Sequence, residues 1–135
     1  MTQEQIDLFN KEALALGFSK AVQIHSKILD KDFLLSQEPE KLILCCRELP
    51  PLRYDHTKRM LFEVYMEFAK ERSIKEIAKD YDSVNLFITE FEVELWLHIE
   101  KRLLTREECY DACNLLPQHS WMQGMALKKL EKMTA

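Results

Sequence analysis

The residues that could do chemistry fall into a few groups, and their spacing decides what each could do. Cys109 and Cys113 stand four apart, on one face of a helix, with His119 six residues beyond. Zinc asks for four nitrogen or sulfur ligands in a tetrahedron, so the adjacent Cys45 and Cys46 would have to complete the set. The spacing follows no zinc motif, and helix-borne cysteines commonly serve as small core residues. Glu90, Glu94 and His98 recur every four residues and would share a helix face. A di-metal bundle needs Glu-x-x-His on two helices. Here Glu94 and His98 are four apart and the pattern is not repeated, so a solvated acidic face is expected. No metal or other cofactor is expected.

Cys109 with His119, or Ser120 with a histidine, could pair a nucleophile with a base, but neither sits in a nucleophile elbow or glycine-rich turn. The chain has two glycines, Gly17 and Gly124. A Walker loop or a Gly-x-Gly-x-x-Gly turn therefore cannot be built. Catalysis is not expected and no catalytic residue is assigned. The alternative is a small enzyme or ligand carrier whose pocket gathers dispersed residues around Cys109, His119 and a helix over 56–72.

Charge narrows the partners. Acidic residues outnumber basic ones 23 to 19, for a net charge of −4. A nucleic-acid binder shows a basic patch or stripe, whereas here the charges interleave. The only compact basic cluster, Lys128, Lys129 and Lys132, falls near a helix C-terminus, where cations complement the helix dipole. The segment Ser73-Ile-Lys-Glu-Ile-Ala resembles the first helix of helix-turn-helix DNA readers. A recognition helix would then start near Ser83 and present Val84, Asn85, Leu86, Phe87, Thr89, Glu90 and Glu92, an apolar and acidic surface that phosphates repel. Nucleic acid is therefore not an expected partner, and a transcriptional regulator is a further alternative only. No run approaches the ~20 apolar residues of a membrane span, and the N-terminus carries no secretory pattern. Four cysteines in such a chain are expected to be reduced thiols, in a cytoplasmic protein.

The elements that must position these residues are helices. Few glycines and many Glu, Lys, Leu, Ala and Met residues favour helix over the frequent turns of a β-domain. Thr2 can cap a first helix with Ile6, Phe9, Ala13 and Leu16 as its inner stripe, and Gly17 suits a left-handed C-cap. Ser19 can cap a second helix that fades over 33–35. Pro39 opens a third, which stops at Pro50-Pro51; the Leu49-Pro-Pro-Leu52 stretch could equally be a short polyproline segment. Asp55 can cap a central helix over 56–72, apolar around most of its circumference. Ser73/Glu76 and Thr105/Glu108 are capping boxes, Asp82 or Ser83 can open a segment to 104, and Ser120 can cap a last helix over 121–133.

One segment conflicts. Residues 91–99 place apolar side chains at every second position, the pattern of a half-buried strand. As a helix, Ile88, Phe91, Leu95, Ile99 and Leu103 form an equally clean stripe, and the helix is preferred. The expected fold is all-α: a single domain over 1–135, a compact bundle of about seven to eight helices in helix-turn-helix pairs. A short helical-repeat solenoid is the alternative, as is an α+β fold with a strand at 91–99.

What remains is protein–protein interaction. Trp96, Trp121, Met122 and Met125 are large, adaptable side chains of the kind enriched at interfaces. They are the expected partner-binding residues of an adaptor, chaperone, inhibitor or assembly subunit. The partner would be another protein, a second copy of the chain included.

Overall fold

With glycine nearly absent, helices here must start and stop by other means. The computed structural model describes residues 1–84 and 89–134, and among these residues the regular elements are nine α-helices, with no strand. Contacts cluster into two units, Met1–Phe68 and Ala69–Ala135.

In the first unit, α1 (Gln3–Leu16) starts at a complete capping box. Thr2 Oγ1 accepts from Gln5 N at 3.2 Å, and Gln5 Oε1 accepts from Thr2 N at 2.8 Å. Gly17 ends α1 and begins α2 (Phe18–Ile24) at φ 96°, ψ 159°. This is not the expected left-handed cap but an extended conformation at positive φ, which is essentially restricted to glycine. Ser19 consequently lies inside α2 and does not cap it. The expected long second helix is broken. The chain turns over 25–28, and Asp30 Oδ1 then accepts from Phe33 N at 2.8 Å to start α3 (Lys31–Leu34). An aspartate that captures a backbone N–H competes with helix continuation, and this added start brings the helix count to nine.

Helix α4 (Pro39–Glu48) has Pro at its first turn and stops at Leu49, held extended by the prolines after it. Helix α5 (Asp55–Ala69) starts one residue before the expected 56–72 span and ends three residues short of it. Its first N–H bond runs from Lys58 N to Tyr54 O at 2.8 Å. Asp55 instead accepts from Leu52 N at 2.9 Å, folding the turn before the helix. The core of this unit sets Phe9 edge-on to Phe18 and Phe33, with centroids 5.7 and 4.9 Å apart. Leu42, Ile43, Leu61, Phe62 and Tyr65 are fully buried.

In the second unit, the Ser73/Glu76 box starts α6 (Ile74–Val84). That helix runs through Asp82 and Ser83, which therefore do not open the next one. Helix α7 (Thr89–Glu100) settles the ambiguous segment as helix. The alternation divides between two faces: Phe91, Leu95 and Ile99 are buried, whereas Val93 and Leu97 are exposed. A period of two sampled on a 3.6-residue turn sends every second apolar residue outward. Ile88, counted in the stripe, lies outside the described residues. Helix α8 (Arg106–Leu115) begins at the Thr105/Glu108 box, and α9 (Trp121–Thr134) at Ser120, whose Oγ accepts from Gln123 N at 3.1 Å. Gln123 Nε2 donates to Cys113 O at 2.9 Å, tying the end of α8 to α9.

Two polar contacts lie inside this second unit. Arg72 Nη2 donates to Asp80 Oδ1 at 2.8 Å, a nearly buried ion pair. The Tyr81 hydroxyl donates to Glu92 Oε1, and burial pushes the Glu92 carboxyl above its ordinary value of 4.5.

Two outcomes follow. Gly17→Ala should lower unfolding stability by about 1–3 kcal/mol in urea titrations, because any Cβ forces a conformation L-residues avoid. A loss within error would show that the backbone relaxes. Glu92→Gln keeps an acceptor for Tyr81 but removes a charge that burial penalises. The penalty is absent below the ordinary carboxyl range and grows as pH rises through the raised value. The variant should thus melt higher than wild type at pH 7, with the gap closing towards pH 4; a lower melting point at pH 7 contradicts this.

Candidate functional site

The thiols sit where chemistry is suppressed. Cys45 and Cys46 belong to α4 of the first unit, Cys109 and Cys113 to α8 of the second, and all four are buried and unbridged. Burial pushes the Cys45 thiol up to about 12, against the opposing pull of a Ser19 hydrogen bond. Cys46, whose Sγ lies 3.5 Å from Lys58 O, is raised for the same reason, as are Cys109 and Cys113. Cys109 Sγ contacts Met133 Sδ at 3.4 Å. His119 is exposed at φ 65°, its N–H donating to Gln123 Oε1 at 2.8 Å. Among the described residues no three His, Cys, Asp or Glu side chains are grouped to hold a metal, and no helix is long and apolar enough to cross a membrane.

The expected solvated acidic face on α7 is not uniform. His98 is half-buried, its Nε2 lying 3.1 Å from Ala69 O and 3.0 Å from Arg102 Nη2. Arg102 also donates to the carbonyls of Lys70, at 3.0 Å, and Arg72, at 2.6 Å. Glu94 is half-buried, and the Glu90 side chain lies outside the described ones. The basic cluster on α9 is likewise more than a solvated end, since Lys129 Nζ donates to Glu100 O, the last residue of α7, at 3.0 Å. Of the recognition helix drawn from the DNA-reader resemblance, Asn85, Leu86 and Phe87 lie outside the described residues, and Ser83 is no helix start.

The four candidate interface residues separate. Trp96 is 3% exposed and Met122 fully buried, both inside the chain itself. Trp121 is 40% exposed and Met125 half-buried, both on α9.

Another apolar surface lies in the first unit, at residues not singled out for binding from the sequence. Leu14 is 91% exposed, and Leu16 and Leu44 are also open to solvent. Leu16, placed in the inward stripe of α1 by its spacing, points out. One depression of about 430 Å³ is lined by Phe9, Asn10, Ala13, Leu14, Phe18, Gln37 and Lys41. A second, of about 270 Å³, is lined by Leu16, Gly17, Phe18, Ser19, Lys20, Lys41, Leu44 and Glu48. Phe18 and Lys41 line both, so the two depressions lie side by side along α1, α2 and α4. Gly17 sets the bend between α1 and α2. Leu14 falls off the Ile6–Phe9–Ala13 stripe, and that misfit was the readable signal.

A separate cleft of about 700 Å³, with a mixed polar and apolar lining, lies between the 25–28 turn and the start of α5. Its wall includes His25, Lys27, Arg53, Tyr54, His56 and Thr57. The preceding turn holds Leu52 at φ 70°, 88% exposed, and stacks the Arg53 guanidinium 5.5 Å from the Tyr54 ring centroid.

Comparison of the chain with known protein families, with curated proteins and with solved structures finds no match.

The thiol environments predict slow chemistry. In native protein at pH 7 a disulfide reagent such as Ellman's should react slowly with all four cysteines, and fast once urea exposes them. Protonated Cys45 favours the fold, so its contribution is intact below about pH 9, the ordinary thiol value, and is lost as pH rises towards 12. Rapid native labelling of even one cysteine would contradict this burial.

Proposed function

We propose that this chain is a non-catalytic helical domain that binds another protein, taking an amphipathic helix with acidic flanks into the groove along α1, α2 and α4. The observation that carries the reading is the pair of adjacent depressions, lined by Phe9 and Phe18 together with exposed Leu14, Leu16 and Leu44. Contiguous exposed apolar surface of this kind is uncommon on a protein that works alone. Helix-in-groove recognition uses apolar anchors at i, i+3 or i+4 and i+7, dropped into such depressions.

Charge supports the choice of partner. Lys20 and Lys41 rim the groove, with Glu48 the one acid in its lining. In a chain of net charge −4 this is a locally basic rim, and it favours an acidic segment over a basic one. Four unbridged cysteines support a reducing, cytoplasmic setting for that encounter. Trp121, with Met125 one turn on, offers a smaller second contact surface on α9.

The reading is tested by affinity capture from the native host with wild type and with the Leu14→Glu/Leu44→Glu double variant. Both substituted positions are exposed, so circular dichroism should stay unchanged. A polypeptide held by wild type at near-stoichiometric level should be lost with the variant, its affinity weakened roughly tenfold or more by charges set in an apolar contact. Equal retention by both proteins, or retention of nothing at high bait concentration, would sink the proposal. Light scattering on the purified chain distinguishes a second copy as the occupant.

A further inference from the structure

The cleft between the 25–28 turn and the start of α5 is electrostatically one-sided. None of its twelve lining residues is acidic, although acids outnumber bases across the sequence. Lys27 and Arg53 supply two fixed positive charges, and among the described residues neither meets a carboxylate. The nearest acids in sequence, Asp30 and Asp55, are not part of the lining; Asp30 accepts from Phe33 N and Asp55 from Leu52 N. Ser26, Tyr54 and Thr57 add hydroxyl donors. Finally, His56 and Thr57 stand in the first turn of α5, a helix of 15 residues whose positive dipole end favours an anion.

The opposite character lines the remainder of the wall, through Ile24, Ile28, Leu29 and Met60. A volume of about 700 Å³ is in the range of small-molecule sites. We propose that this cleft binds a phosphate monoester, a dianion carrying an apolar or aromatic group. Two cations answer two negative charges. Arg53, its guanidinium already ordered against Tyr54, presents a planar fork suited to phosphate oxygens, and Lys27 adds a point charge. The apolar residues take the ester group. A monocarboxylate would leave one cation unanswered.

The groove and the cleft are lined by different residues, so each can fail alone. The probes are phenyl phosphate, inorganic phosphate and benzoate, titrated into the isotope-labelled chain and followed by amide resonance shifts. Phenyl phosphate should shift residues 23–29 and 53–60 in a saturable way at millimolar concentration or below. Inorganic phosphate should bind the same residues more weakly, and benzoate more weakly still. The Lys27→Gln/Arg53→Gln variant alters two side chains without buried partners, so its dichroism should match wild type while phenyl phosphate binding falls by about tenfold or more. The proposal is overturned if phenyl phosphate causes no saturable shift, if benzoate binds as tightly, or if the folded double variant binds unchanged.

Discussion

Every helix leaves four N–H groups unpaired at one end and four carbonyls at the other. A chain built almost wholly of helices, with Gly17 as the one glycine at a helix end, must meet that demand with side chains. Thr2, Asp30, Ser73, Thr105 and Ser120 accept from first-turn N–H groups, three of them in reciprocal boxes with Gln5, Glu76 and Glu108. At the other ends, Arg102 gathers the carbonyls of residues 69, 70 and 72, Lys129 takes that of Glu100 and Gln123 that of Cys113. Much of the polar inventory is thus committed to holding backbone ends.

This commitment explains which parts were legible. A capping box is a local rule, and the starts of α1, α6, α8 and α9 fell at the expected residues. Proline likewise set both ends of α4. The errors arose where a polar side chain had two local options. Asp55 bonds the turn before α5 and does not cap it, Ser19 gives way to Gly17, and Asp30 restarts a helix that periodicity alone would continue. The strand-like alternation of 91–99 was a similar contest, decided by burial of only one of the two faces it contains.

The site was much less legible than the fold. Residue types familiar from interfaces drew attention to Trp96 and Met122, yet both are interior. Aromatic and methionine side chains serve cores and interfaces alike, and only tertiary packing separates the uses. The groove and the cleft depend on the bends at Gly17 and at 25–28, which gather residues distant in sequence. By contrast the reactive-looking cysteines are held as thiols by the buried surroundings of their helical positions, and burial likewise raises the carboxyl of Glu92. The four thiols are kept inside, and the surfaces set out above are one apolar and one with two cations in its lining.

The one-residue junction at Gly17 also bears on how such a surface can change over evolutionary time. Open space surrounds the point where a Cβ would stand, so torsion rather than crowding reserves the position for glycine. Substitutions at Leu14, Leu16 or Leu44 can retune the shape and affinity of the groove in small steps. An insertion or deletion at the junction cannot, because one residue rotates a helix by about 100° and would carry Phe18 out of the lining. Drift in specificity is therefore gradual along the groove walls and all-or-none at its bend.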